Sequence, residues 1–463
     1  MLKKEELKKI LDVCLETGGD FAELYFEDTI KNNYELTSGK VTRITTNNLY
    51  GASIRILHGA EESFGYSSDI SFDSLMTLAK KLNASFNYPK LDIDFELKEE
   101  HTPIINLPVI LPSSLSNKDK IKHLKLLNKG ILTYKSDEIS QVICMLSDEE
   151  QRITVVNTLN KMVTDLRTHI RLAANVVAKN EDVMQTAFDS KAGNQGYEMF
   201  DDFNYDDFGY EIAKTAVTIL HADEMVGGNM DVVLHNGFGG VLLHEACVHS
   251  LEATSVAKGN SVFCNKLGQK IASDIVTAVD DGTIPNGWGS LNVDDEGNKT
   301  QRNVLIENGI LKSYLVDYRN SKIMNHSITG SGRRQSYKYS PTSRMTNTFF
   351  TPGESKFEEI IENTKFGLFA KKMGGGSVNP TTGEFNFSVN EGYMIEDGKI
   401  TKPVRGATLV GSGAYILKNI DMIANNLEFS YGMCGSKSGS IPTIVGQPTV
   451  RVLNLTVGGR GEK

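Results

Sequence analysis

The sequence predicts an α+β protein. An N-terminal α+β region with mostly antiparallel strands is followed by a β-rich C-terminal domain that carries a distorted, histidine-bearing helix. Two observations lead there. A helix–strands–helix pattern recurs twice before Glu224, and from Met230 onward the chain turns rich in glycine and strand-forming residues, with two closely spaced histidines near its start.

Leu7, Ile10, Leu11 and Cys14 fall at i, i+3, i+4 and i+7 and mark an opening amphipathic helix that ends near Gly18-Gly19. From Ala22 to Tyr66 short strands are expected, in segments such as KVTRITT and YGASIRIL. Ser71 to Leu82 reads as a helix. Asn83 to Ser116 carries Pro89, Pro103, Pro108 and Pro112 and reads as a linker or domain edge. A second helical pattern begins at Asn117. RITVVNT and LRTHIRLAANVVA follow as strands, and Phe203 to Leu220 reads as a helix. MDVVLHN then starts the last region, and Gly237, Gly239 and Gly240 precede the histidine-bearing helix. Asp294-Asp295-Glu296-Gly297 and Asn308-Gly309 are hairpin signals, and TVRVLNLTVGG closes the chain as an alternating strand. Domains are expected at 1–112, 113–225 and 226–463.

At 463 residues the chain is long enough for two or three domains. A net charge of −9 argues against a nucleic-acid surface. Five scattered cysteines make no disulfide framework and point to a reducing compartment, so a cytoplasmic location is expected. The N-terminus lacks the apolar core of a signal peptide, and no apolar run is long enough to span a bilayer.

His244-Glu245-Ala246-Cys247-Val248-His249 carries the chemistry. Imidazole is a common zinc ligand, and a carboxylate beside the first histidine is placed to act as base toward a zinc-bound water. The familiar spacing of such a pair is four residues; here it is five. On a regular helix residues five apart point roughly 140° away from one another, so a wide turn, a π-bulge, is needed to bring them to one face. A catalytic zinc takes three protein ligands. Cys247, Cys264, Cys434, His235 and Glu252 are candidates for the third. Cys434 stands out because its neighbours, Tyr431 to Gly439, form a glycine-rich polar segment that permits close approach.

These segments resemble the TldD/PmbA family, described as modulators of DNA gyrase and as zinc metallopeptidases. GGVLLHEACVHSLEA is similar to the family's HExxxH helix. GSGRRQSYKYSPTSRMTNTFFTPG is similar to its arginine-rich connecting segment, and YGMCGSKSG with VGQPTVRVLNLTVGG to its C-terminal signature. The resemblance is strong over Met230 to Gly459 and looser before it. Retention of the motif resembles the TldD branch; the PmbA (TldE) branch lacks it and serves as partner. The resemblance implies Zn²⁺ held by His244, His249 and Cys434, with Glu245 as general base and Glu252 supporting an imidazole from behind. It also implies short or unfolded peptide substrates and a dimer with a PmbA/TldE-type subunit or with a second copy. In the family the position of Val248 is usually glycine. Valine there raises an alternative, a catalytically silent binding or regulatory subunit with an impaired site. Arg333, Arg334 and Arg344 are expected to grip peptide carbonyls or a C-terminal carboxylate.

Overall fold

The computed structural model describes residues 2–101, 104–379 and 382–461, so Pro103 lies outside the described residues. The fold is α+β, and its N-terminal region contains the helix–three strands–helix unit twice. The first unit is α1 (Lys4–Cys14), β1 (Phe21–Thr37), β2 (Lys40–His58), β3 (Glu61–Ser67) and α2 (Phe72–Asn83). The second is α3 (Asn117–Ile131), β4 (Ile139–Asn157), β5 (Lys161–Asn180), β6 (Val183–Asn194) and α4 (Tyr205–Leu220). Polar caps start three of the helices: Ser71, Ser116 and Asn204 each accept a hydrogen bond from a backbone N–H of the first turn.

The strands are not short. β1 and β2 run for 17 and 19 residues, because each keeps an antiparallel partner along its whole length. Both units share one seven-stranded sheet, joined where β1 pairs β4 from Glu23↔Asn157 to Thr37↔Ile143. Alternation along β1 then assigns the faces. Leu24 and Phe26 pack in the core beneath α1 and α2, and Tyr34 and Leu36 in the core beneath α3 and α4. Glu23, Tyr25 and Glu27 face the other way, onto the C-terminal region, where the Tyr337 N–H donates to Glu27 Oε2 at 2.6 Å.

The C-terminal region holds two larger sheets. The first contains β8 (Ala278–Asp281), β9 (Arg302–Glu307), β10 (Asn347–Phe350), and the late pair described next. The second contains β7 (Gly228–Leu234), β11 (Phe366–Val378), β12 (Glu384–Glu396), β13 (Lys399–Arg405), β14 (Thr408–Ser412), β15 (Ile420–Ile423) and β18 (Val450–Gly458). Within it β11, β7, β18, β14 and β12 close a ring, because β11 also pairs β12. The late pair of the first sheet is β16 (Glu428–Ser436) and β17 (Gly439–Gln447), with β16 at the edge. Asn308-Gly309 does turn a hairpin, between β9 and Ile310–Leu311. Asp294 to Gly297 makes a turn but only the isolated bridge Val293↔Lys299. Its acids are buried and face inward: Asp295 pairs Arg167 at 2.7 Å and Glu296 pairs Arg55 at 2.5 Å, both across to the N-terminal sheet. No helix among the described residues is long and apolar enough to cross a membrane.

Candidate metal centre

The segment that bears the histidines is not one helix with a wide turn. α5 (Val241–Ala246) ends at Cys247, whose φ is −118°, and a 3₁₀ turn follows over Val248–Leu251. The reason lies downstream. Leu251 and Ala253 exchange backbone hydrogen bonds with Leu315, at 3.0 and 2.8 Å, and so leave the helical path. Upstream, the Gly239-Gly240 approach is equally constrained: a Cβ on Gly240 would lie 2.5 Å from the Gly446 carbonyl oxygen of β17. The helix is thereby laid directly against the β16–β17 pair.

That contact brings Cys434 to the histidines. One donor atom each from His244, His249 and Cys434 lies within 4.8 Å of the others, the one such group of His, Cys, Asp and Glu among the described residues. Cys434 Sγ is 3.3 Å from His249 Nε2. Two ligands on one tetrahedral zinc at ordinary bond lengths stand about 3.6 Å apart, so the spacing fits. The two imidazole rings are perpendicular, with centroids 5.0 Å apart. His244 is buried, and its Nδ1 has no hydrogen-bond partner. His249 uses its other nitrogen: Nδ1 lies 3.2 Å from Glu252 Oε2. Glu252 sits just beyond the turn, in extended conformation. Glu245 is part-exposed, with Oε2 at 3.7 Å from His249 Nε2.

Electrostatics suit a cation ligand set. Burial pushes the Cys434 thiol up, but the imidazoles of His244 and His249 outweigh it and hold the pKa down at about 3. Burial pulls His249 down, and the Glu252 carboxylate and Cys434 outweigh that, leaving it well above its ordinary range. A second buried imidazole, a low-pKa thiol and a carboxylate-backed histidine within one donor-sized group fit a zinc site with a position left for water.

The other candidates stand elsewhere. Cys247 Sγ lies in the core, 3.8 Å from the Gly413 carbonyl oxygen. Cys264 is in a turn, and His235 Nδ1 lies 3.3 Å from Thr449 Oγ1. All three arginines are buried. Arg344 is beside the centre: it donates to the Cys434 carbonyl, and at 2.9 Å to Ser438 Oγ and to the Gly439 carbonyl. Its Nε stands 4.0 Å from Glu252 Oε1. Arg334 is taken up by Glu23 and stacks over Tyr25, 4.2 Å from the ring centroid. Arg333 donates to the Met345 carbonyl at 2.6 Å and lines a separate cavity. Arg344's tie to the backbone of Cys434 had no signal in the sequence beyond its place in a glycine- and serine-rich stretch.

Val248 is fully buried and is not among the residues with positive φ, so the backbone does not require glycine there. Val248→Gly is therefore expected to lower stability by roughly 2–3 kcal/mol and to leave the gathering of His244, His249 and Cys434 unchanged. A urea melt and a metal titration check both halves, and a large gain in metal affinity would contradict the second.

Three family models match the chain: PmbA/TldA metallopeptidase domain 1 over residues 22–85, the central domain over 110–220 and the C-terminal domain over 227–459. A metalloprotease TldD homolog of Buchnera aphidicola is 36% identical over 95% of this chain and 93% of its own. A zinc metalloprotease TldD homolog of Saccharolobus solfataricus is 24% identical over 97% and 99%. Two crystal structures share the fold. One, from Thermotoga maritima, is described as a candidate modulator of a DNA gyrase; its TM-score is 0.80 at 21% identity, covering 98% of this chain and 99% of that one. The other is TldE from Thermococcus kodakarensis, with a TM-score of 0.77 at 17% identity, covering 98% and 100%.

Proposed function

This chain belongs to the PmbA/TldD metallopeptidase family, and on that footing we propose that it is a zinc-dependent peptidase that hydrolyses short or unfolded peptides with little regard to their sequence. One observation carries the reading. His244 and His249 meet a cysteine 185 residues downstream, and Glu245 stands beside them. Two imidazoles and a thiolate are a zinc donor set, and a relative is named a zinc metalloprotease.

Zinc bound there supplies Lewis-acid activation of water. Glu245 Oε2 accepts a proton from the attacking water and delivers it to the departing amine. Glu252 holds His249 through Nδ1 and so keeps Nε2 turned toward the centre. Arg344 fixes the carbonyl of Cys434 and the 438–439 turn, which steadies the thiolate on its edge strand.

Peptide backbone has an edge to bind. β11 pairs β7 only over residues 367–370, and from 371 to 378 it has no ladder partner on that side among the described residues. Residues 371–375 border a cavity of about 610 Å³ that reaches Met433, the neighbour of Cys434. Hydrogen bonding to a free strand edge binds any sequence, which supports the substrate class proposed. A cytoplasmic setting agrees with five cysteines that are all free thiols. A dimer with a TldE-type subunit or a second copy agrees with the fold shared with TldE. The backbone at Val248 removes the physical ground for an impaired, silent subunit.

Chelator-stripped protein reloaded with zinc is expected to hold about one zinc per chain, and Cys434→Ser to weaken zinc binding at least about 100-fold. Elemental analysis and cleavage of a labelled unfolded peptide read the two out. A wild-type protein that binds no metal under these conditions ends the proposal.

A further inference from the structure

We propose that a second cavity, between the N-terminal sheet and residues 333–339, is a subsite that binds a carboxylate of the peptide, resting on the peptidase reading above. The cavity has a volume of about 620 Å³ and opens on the face of β1, β4 and β5 opposite the four helices. Such a volume suits a peptide end or a side chain with its neighbours.

Its charges do not balance. Lys31 is paired with Glu149 at 3.2 Å, Arg167 with Asp295 at 2.7 Å, and Arg334 with Glu23. Asp148 is held from behind by Lys120 at 2.9 Å. Glu27 accepts from Thr29, Gln151 and the Tyr337 N–H. Arg333, Arg171 and Lys338 remain, and among the described residues none has a carboxylate at ion-pair distance.

Two of the lining groups are buried, Arg333 with no counter-ion among the described residues and His169 with poor hydrogen bonding. Arg333 is 2% exposed, and its one hydrogen bond among the described residues is to a backbone carbonyl. Burial, opposed in part by Asp295, brings its pKa down to about 10. His169 is 6% exposed, and neither ring nitrogen makes a hydrogen bond of ordinary geometry, the backbone of Trp288 being a weak partner. The Glu149 oxygen nearest to it is 3.9 Å away. Buried charges are normally paired, so a guanidinium with no carboxylate partner beside a poorly bonded imidazole in one cavity calls for an anionic acceptor. The planar fork of a guanidinium matches a carboxylate.

The peptide is the source because the two cavities adjoin. Met433 and Arg171 line both this one and the cavity along the free edge of β11. Arg171 Nη2 donates to the Tyr431 carbonyl at 3.3 Å, which holds it at that junction. A peptide extended along the first cavity therefore reaches the second near Cys434. The carboxylate is either its C-terminus or an Asp or Glu side chain.

The protein contains its own reporter. Trp288 is its single tryptophan, lines the cavity, and stands edge-on to His169 with centroids 5.2 Å apart. Fluorescence of Trp288 is followed in the full-length, zinc-loaded Glu245→Gln protein, in which hydrolysis does not interfere. Acetyl-tetraalanine with a free carboxylate should give a saturable change, and its C-terminal amide should bind at least about tenfold more weakly. An amidated peptide with one internal Glu recovers the affinity if the side chain is the source, and stays weak if the C-terminus is. Arg333→Gln should erase the preference for the acid. Lys338→Gln, on an exposed residue, should reduce it without disturbing the fold. Equal affinity for acid and amide, or no Trp288 response to the acid, overturns the subsite. Failure of wild-type zinc protein to hydrolyse either peptide sinks the peptidase reading and leaves a positive fluorescence result intact.

Discussion

Glu245→Gln is expected to slow peptide hydrolysis by about 10²- to 10⁴-fold while zinc content stays at the wild-type level. The separation of the two readouts is the point of the test. Glu245 is not one of the three gathered donors, so its amide should leave the metal in place. Its Oε2 is part-exposed at 3.7 Å from His249 Nε2, where a water approaching the centre can meet it. Glutamine keeps the shape and the hydrogen-bonding reach but takes no proton. A variant that retains more than a tenth of the wild-type rate would show that the proton goes elsewhere. A variant that loses zinc as well would place Glu245 among the ligands instead.

Arg334→Met is expected to destabilise the protein by about 3–5 kcal/mol, read as a fall in the urea midpoint. Arg334 and Glu23 are both buried, and each is the other's main compensation. Removing the cation leaves Glu23 charged in a dry place. The double change Arg334→Met with Glu23→Leu should restore most of the loss, because two apolar side chains carry no desolvation penalty. The pH dependence has a definite sign. Burial already raises the pKa of Glu23, against the pull of Arg334 and Arg55, and loss of Arg334 raises it further. A raised folded-state pKa means stability present below the unfolded value of 4.5 and lost as pH rises through the folded value. The deficit of Arg334→Met should therefore be smallest near pH 4.5 and grow toward neutrality; a deficit that shrinks instead would argue against a stranded carboxylate.

The fold class was legible because periodicity and caps are local. Leu7, Ile10, Leu11 and Cys14 lie on the buried stripe of α1, and Ser71 and Ser116 cap helices where the pattern put them. Strand length was not legible. The outer half of β2, Lys40 to Leu49, is exposed or half-exposed, Val41 and Ile44 included, and is held in the strand by its pairing with β1 rather than by burial of its side chains. The geometry at Cys247 was equally hidden, since the helix is ended by backbone bonds to Leu315, more than sixty residues away in sequence. Acidic turns read alike whether they meet water or a distant guanidinium. Only the structure sets Asp295 and Glu296 against Arg167 and Arg55. The same holds for Arg333 and Arg334, neighbours in a polar stretch whose surroundings differ completely.

The distance in sequence between His249 and Cys434 also fixes an order of events during synthesis. The N-terminal sheet can close once its last strand, β6, has emerged at Asn194, and domains generally fold as they leave the ribosome. The proposed hydrolytic centre cannot form at that stage, nor when α5 emerges, because its third donor lies 185 residues further on. A nascent chain thus carries two histidines and a glutamate without the thiolate that completes them. Until β16 emerges, the part of the chain that has not yet folded is of the kind proposed as substrate, and no assembled centre is present to cut it or its neighbours.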